Sequence, residues 1–112
     1  MDQSKIDTLR EQSVPAFSHL IEGVHVPASD GGTVDILSPI NGTVLTTTAK
    51  GTKADMDAAI ALARTAFEDG RWAGQPPAAR KKVLMKWADL IEENALELAV
   101  LGVRDNGTEI SM

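Results

Sequence analysis

The sequence predicts a mixed α/β fold, here an α+β fragment, in which a β-hairpin ribbon precedes an antiparallel pair of helices. Asn41-Gly42 separates two runs rich in β-branched residues, 33–40 and 43–49. Asn-Gly in that setting is a strong hairpin signal, because both central residues of such a turn need positive φ. Downstream, apolar residues repeat at helical spacing in two stretches. The short segment 71–77 joins these stretches and favours antiparallel packing.

The first half of the chain reads as an arm followed by β structure. Residues 1–18 predict a weakly helical or irregular arm that ends near Pro15, and residues 19–28 predict two short strands around Gly23. In the hairpin the pleat places Leu37 on one face with Leu45, and Ile36 on the opposite face. Apolar residues on both faces predict a ribbon that is covered on both sides. A chain of 112 residues has little material for that cover, which is a first sign of missing structure.

The second half predicts two helices. Thr52 and Asp55 resemble a capping box at the start of the first helix, which Asp69-Gly70 ends. Pro77 suits the first position of the second helix, predicted as one uninterrupted helix of about seven turns. The apolar stripes expected to face the core are Met56, Ala59, Ile60, Ala63 and Phe67 in the first helix, and Leu84, Trp87, Ile91, Ala95, Leu98 and Leu101 in the second.

Composition excludes several classes of function. The 112 residues include 11 Lys+Arg and 16 Asp+Glu, a formal net charge of -5, which argues against nucleic acid as the main partner. The absence of cysteine excludes disulfides, thiolate metal sites and a cysteine nucleophile within this chain. No apolar run is long enough for a membrane span, and no signal peptide is visible. We therefore expect a cytoplasmic protein.

Candidate chemistry is sparse. No glycine-rich phosphate loop of either common spacing is present, so no cofactor-binding or catalytic residue is predicted. Asp105 is harder to explain, because an aspartate at the end of a helix faces the negative end of the helix dipole. It is either a turn residue that accepts nearby backbone N–H bonds, or a residue whose charge is offset by a cation. Both readings stay open.

Five segments in order resemble the amino-terminal part of the NAD(P)-dependent aldehyde dehydrogenases. They are Ile21-Glu22-Gly23, the hairpin 38–42, the helix end 63–72, the helix start 77–80, and the stretch from Trp87 to Gly107. The resemblance covers residues 19–112 and implies the amino-terminal portion of the cofactor-binding region, an incomplete domain. Departures are Ser38 before Pro39, Pro76 at a helix cap, and "DNGTE" after the long helix.

The resemblance implies a function for a longer parent protein. That parent would oxidise aldehydes to carboxylic acids with NAD or NADP, its nucleophile and dinucleotide site lying after the matched region. The arm and the "EDGRW" loop lean towards the branch that oxidises γ-glutamyl-aminobutyraldehyde and related aminoaldehydes. This chain would then be an inactive front part that supports the cofactor domain, packed against the rest of a homo-oligomeric enzyme. The alternative is a free-standing, non-catalytic binding module that retains the same fold.

The resemblance also implies a metal site. Many family members hold a structural Na⁺ or K⁺ with backbone carbonyls just before the hairpin proline and the aspartate after the long helix. The matching positions here are Ile36, Leu37 and Asp105. A hard monovalent cation prefers oxygen ligands, and strand carbonyls near a helix C-terminus supply partial negative charge.

Overall fold

The computed structural model describes residues 2–109 and shows a mixed α/β arrangement of four helices and two small sheets. Strands β1 and β2 form one antiparallel pair, and β3 and β4 form another. None of the helices in this range is long and apolar enough to cross a membrane. The predicted fold class is confirmed. In chain order the elements are α1 (Gln3–Glu11), β1 (His19–Ile21), β2 (Val24–Val26), β3 (Thr33–Leu37), β4 (Val44–Ala49), α2 (Lys53–Glu68), α3 (Pro77–Glu93) and α4 (Ala95–Asn106).

The amino-terminal arm is better ordered than predicted. Asp2 caps α1 by accepting the backbone N–H of Ser4 at 3.1 Å. The helix packs on α4, where Ile6 is buried. Arg104 of α4 donates from Nη1 to the carbonyl oxygen of Leu9 at 3.1 Å and to that of Gln12 at 2.7 Å. Arg104 thereby satisfies carbonyls at the end of α1 that have no partner within the helix.

The tight two-residue turn lies at Glu22-Gly23 rather than at Asn41-Gly42. Glu22 and Gly23 both have positive φ, 53° and 76°, and connect β1 directly to β2. In the second hairpin Gly42 has a φ of 73°, whereas Asn41 is not in the positive-φ region. The predicted turn there is therefore wrong. Pro39 has no N–H to donate to a ladder, and β3 and β4 are joined by the wider loop 38–43 instead.

A β-bulge changes which residues share a face of the ribbon. Ile36 pairs with Thr46, but Leu37 pairs with Val44, so Leu45 is an extra residue in β4. The prediction that Leu45 lies on the same side as Leu37 is wrong, because the inserted residue reverses the alternation beyond it. Leu37 and Val44 are instead opposite one another, and both are exposed.

The helix that was predicted as continuous is divided at Asn94. Its side-chain Nδ2 donates to the carbonyl oxygen of Leu90 at 2.8 Å, and its backbone has φ -108° and ψ 14°. Asparagine competes with helical hydrogen bonding in this way, which explains the break between α3 and α4. Within residues 2–109 the helices in close contact are α1 with α4 and α3 with α4. Helices α2 and α3 share little contact, although a short loop joins them.

The interior is small. The buried hydrophobic residues of the described chain are Ile6, Ala28 and Val100. The accessible surface is 8557 Å², whereas a folded monomer of 11.9 kDa is expected to expose about 6,000 Å². The radius of gyration is 17.8 Å, against about 13 Å for a compact domain of this length. The elements therefore form an open frame in which both predicted apolar stripes are largely exposed.

Candidate functional site

Helices α2 and α3 leave many large apolar side chains in solvent. Phe67 is 69% exposed and Trp87 is 62% exposed, fractions that are unusual for large apolar residues in a monomer. The parts of the predicted stripes on α2 and α3 are largely exposed, whereas Leu101 at the end of the second stripe is partly covered. We call the exposed set on α2 and α3 the apolar helix surface; it comprises Met56, Ile60, Leu62 and Phe67 of α2 with Val83, Leu84, Met85, Trp87, Leu90 and Ile91 of α3.

The hairpin ribbon adds a second exposed apolar region. Leu37 and Val44 lie opposite one another across the ladder, and Ile40 projects from the connecting loop, with exposures of 58%, 53% and 63%. On the other side, Ile36 and Thr46 are at least half-buried near α4. Within residues 2–109 the ribbon is therefore covered on one face only, in keeping with the expectation that this chain has too little material to cover both.

A polar junction joins β1, the loop before β3 and the start of α2. The carboxylate of Asp55 accepts the backbone N–H of Thr52 at 2.8 Å and that of Ser29 at 3.1 Å. Thr52 accepts the backbone N–H of Asp55 at 3.2 Å, which completes the predicted capping box. His19 Nε2 lies 3.7 Å from Asp55 Oδ2, too far for a hydrogen bond. Sequence spacing reveals Thr52 and Asp55, but it cannot reveal Ser29 and His19, which the fold brings to them.

The hydrogen bonds of this junction favour the ionised form of the Asp55 side chain. The hydrogen bond from the Thr52 backbone, helped by those from Ser29, lowers the pKa of Asp55 from 3.8 to about 2, although partial desolvation opposes the change. The carboxylate is thus ionised at neutral pH and occupied by donors of its own chain. These contacts suit a structural role.

The predicted cation residues are only partly brought together. Ile36 and Asp105 line the same cavity of about 450 Å³ between the ribbon and α4, together with Thr46 and Leu101. Leu37 does not line that cavity. Residues 2–109 contain no cluster of three or more His, Cys, Asp or Glu side chains suited to a metal, so a cation here would depend on backbone oxygens besides Asp105. One carboxylate beside the backbone oxygens of a strand suits a monovalent cation. That Ile36, Leu37 and Asp105 together bind such a cation stays a prediction.

The starts of α1, α2 and α3 offer few free backbone donors to a dinucleotide phosphate. Phosphates bind where backbone N–H groups at a helix start are free to donate. At α2 the carboxylate of Asp55 already accepts such a donor, and at α1 the carboxylate of Asp2 does the same. Helix α3 begins with Pro76 and Pro77, which have no N–H to offer. No step of cofactor chemistry is therefore assigned to this chain.

Comparison with known proteins identifies the class. The Aldehyde dehydrogenase family matches residues 25–112. Over 90 residues the chain is 42% identical to the aminoacetaldehyde dehydrogenase of Pseudomonas aeruginosa. This alignment covers 80% of this chain and 18% of the relative. The chain belongs to the aldehyde dehydrogenase family, and it spans about a fifth of the length of the relatives that it matches.

Solved structures agree with this assignment. The γ-glutamyl-γ-aminobutyraldehyde dehydrogenase from Burkholderia cenocepacia superposes with a TM-score of 0.90 at 38% identity, covering 98% of this chain and 22% of that protein. The betaine aldehyde dehydrogenase from Staphylococcus aureus, solved in complex with NAD⁺, gives a TM-score of 0.83 at 33% identity, covering 97% and 21%. The fold therefore matches one part of a larger enzyme.

Proposed function

We propose that this chain is a supporting part of an NAD(P)-dependent aldehyde dehydrogenase, in which its exposed apolar surfaces pack against the rest of the enzyme. The observation that carries the proposal is the size of the uncovered surface. The chain exposes roughly 2,500 Å² more than a compact monomer of its mass, and a standard protein interface takes only about 800 Å² from each partner. Cover of that extent is typical of an obligate neighbour in one folded unit.

The chemistry of the whole enzyme is part of the proposal. Aldehyde oxidation in this family needs a nucleophile and a dinucleotide site, and this chain has no cysteine to act as the nucleophile. The residues of this chain have a positioning role. Helices α1 and α4 and the ribbon form a frame, and α2 and α3 present the apolar helix surface to the neighbouring structure. NAD(P), when bound by the parent enzyme, accepts the hydride from the substrate.

A chimera tests the supporting role. Residues 1–112 replace the corresponding segment of the Burkholderia cenocepacia enzyme, and the chimera is assayed for aldehyde-dependent NADH formation and for thermal stability. We expect an active chimera. Trp87→Glu should lower its melting temperature and its yield of active enzyme, because a charge would be buried at the apolar helix surface. Lys86→Glu, one residue earlier in α3, is the matched control and should have little effect.

The same experiment separates the alternative, a free-standing binding module that retains the fold. A module adapted to a different partner would not support catalysis in the chimera, and Trp87→Glu would not differ from Lys86→Glu. The apolar helix surface is compatible with either reading, but its extent favours the supporting role.

The isolated chain should oxidise no aldehyde. Purified residues 1–112, incubated with NAD⁺ and a panel of aldehydes, are expected to give no NADH absorbance above that of buffer. The reason is that the chain has no cysteine to attack the carbonyl, and we expect the dinucleotide site in the rest of the parent enzyme. Turnover that depends on the purified chain would contradict this assignment of roles.

The cation site belongs to the proposal for the parent enzyme. Ile36 and Leu37 would supply carbonyl oxygens and Asp105 a carboxylate to Na⁺ or K⁺. In the full-length enzyme, Asp105→Ala should reduce the rise in melting temperature that these cations produce, without loss of the catalytic nucleophile. Asp89→Ala, on an exposed position of α3, is the control. If the enzyme melts identically with and without the cations, and Asp105→Ala changes nothing, Asp105 is a turn residue only.

The substrate class proposed is the aminoaldehydes. Support comes from the relatives named for aminoacetaldehyde and for γ-glutamyl-γ-aminobutyraldehyde. We further propose that the parent enzyme is a cytoplasmic homo-oligomer, in keeping with the sequence expectation.

A further inference from the structure

The tripeptide Asn-Gly-Thr occurs twice in this chain, in two different surroundings. Residues 41–43 lie in the loop between β3 and β4, and residues 106–108 begin at the last residue of α4. We propose that Asn41 is a site of spontaneous deamidation and that the fold favours the reaction there over Asn106. The two tripeptides share the same Asn-Gly step but have different neighbours, and incubation in urea measures how much these neighbours contribute to a difference in rate.

The reaction needs only water. The backbone nitrogen of Gly42 attacks Cγ of the Asn41 side chain, and a new C–N bond closes a five-membered imide. Ammonia leaves with Nδ2 and carries away the proton of the Gly42 nitrogen. Water then opens the imide at one carbonyl or the other, which yields aspartate or isoaspartate at position 41. Glycine at the second position leaves the attacking nitrogen unobstructed by a side chain.

Hydrogen bonds to the side-chain carbonyl favour the attack at Asn41. Its Oδ1 accepts the backbone N–H of Thr43 at 3.1 Å and the hydroxyl of Thr43 at 2.8 Å. Negative charge develops on that oxygen as the nitrogen adds to Cγ, and two donors already in place stabilise it. At Asn106 the corresponding oxygen accepts the backbone N–H of Thr108 at 2.7 Å, without a matching hydroxyl bond.

The space around the glycine, and hence its room to move, also differs between the two sites. A β-carbon built on Gly42 would meet no atom within 4 Å, whereas one on Gly107 would lie 3.4 Å from Cγ of Pro39. Asn106 is also held in helical conformation, and Asn41 lies in an irregular loop.

The cost of freeing the attacking nitrogen is similar at both sites. The Gly42 N–H donates to the carbonyl oxygen of Ser38, and the Gly107 N–H donates to that of Val103, both at 2.8 Å. This hydrogen bond is therefore equivalent at the two sites. The side-chain donors and the space around each glycine decide which asparagine reacts faster. Once the imide forms, its nitrogen has no hydrogen, so Ser38 loses this partner and the neutral loop later gains a negative charge.

The test compares the two sites within one protein. The chain is incubated in mildly alkaline buffer, with and without concentrated urea, and samples are digested and quantified by mass spectrometry for aspartate and isoaspartate at each site. In native buffer Asn41 should convert several-fold faster than Asn106. In urea the two rates should converge. Asn94, which alanine follows, is the internal control and should change least under both conditions.

Two variants test the role of the hydroxyl donor. Thr43→Val removes the hydroxyl but keeps the branched shape, and should slow conversion of Asn41 in native buffer while leaving Asn106 unaffected. Thr43→Ser keeps a hydroxyl and should preserve the native rate. The proposal is overturned if Asn106 converts as fast as Asn41 in native buffer. It is also overturned if the ratio of the two rates is the same with and without urea.

Discussion

At the scale of the residue, Asp55 makes the stability of this chain depend on pH in the acidic range. Its pKa is lowered from 3.8 to about 2 in the folded state by the backbone donors of Thr52 and Ser29. A carboxyl group whose pKa is lower in the folded state than in the unfolded state stabilises the fold at pH values above its unfolded-state pKa. This stabilisation is lost as the pH falls through its folded-state pKa. We expect the free energy of unfolding to decrease between about pH 4 and pH 2. In Asp55→Asn the decrease over this window should be smaller.

The measurement is denaturant unfolding at several pH values, followed by far-UV circular dichroism. Asp57→Asn is a suitable control, because Asp57 lies on the same helix and its carboxylate contacts only the exposed Lys53. Exposed pairs of this kind contribute little to stability. If Asp55→Asn and the wild-type chain lose stability in parallel over this window, the backbone donors do not hold the charge as described.

Residues near in sequence were predictable, and residues joined by folding were not. The pairing of Thr52 with Asp55 follows from a spacing of three at a helix start, so it can be read from the sequence. Ser29 meets the same carboxylate from 26 positions away, and Arg104 reaches Leu9 across 95 positions. No local pattern encodes such distances. For the same reason the sequence places Asp105 at a helix end, but cannot show that Ile36 lines the same cavity.

At the scale of the element, the start of α2 depends on its cap. Thr52→Ala removes the side-chain acceptor of the Asp55 N–H and should lower the free energy of unfolding by about 1 kcal/mol. Thr52→Ser should retain most of it, because serine offers the same acceptor. Thr65→Ala, in the last turn of the same helix and away from the cap, is the control and should be neutral or slightly stabilising. Urea titration monitored by circular dichroism measures all three, and equal losses from Thr52→Ala and Thr52→Ser would contradict the capping role.

Element types were predictable, whereas turns and breaks depended on single residues. The positive φ of Glu22 lets a two-residue turn form in the first hairpin, a position where glutamate carries no turn signal. In the second hairpin Asn-Gly carries the stronger signal, yet the preceding Pro39 and the bulge at Leu45 lead to a wider loop. Asn94 interrupts a helix whose apolar periodicity runs on through the break. Periodicity reports the face of a helix and is insensitive to one such interruption.

At the scale of the whole molecule, the isolated chain should be marginally stable or self-associating. Residues 2–109 contain three buried hydrophobic side chains, which are few for a domain of this size, and the apolar helix surface and the ribbon face remain in solvent. Light scattering should give a mass above 11.9 kDa, or calorimetry a broad transition at low temperature. A monomer that melts sharply at high temperature would contradict the picture of an uncovered frame.

The contact between α1 and α4 has a consequence for biosynthesis. Arg104 closes the end of α1 across 95 positions, so the first helix leaves the ribosome long before its partner exists. Until then Ile6 has no helix to pack against, and the nascent chain must stay soluble without its main long-range contact. Closing so large a loop costs little more free energy than closing a shorter one, but it delays productive collapse. Helix α1 is thus synthesised well before the helix that holds it in place.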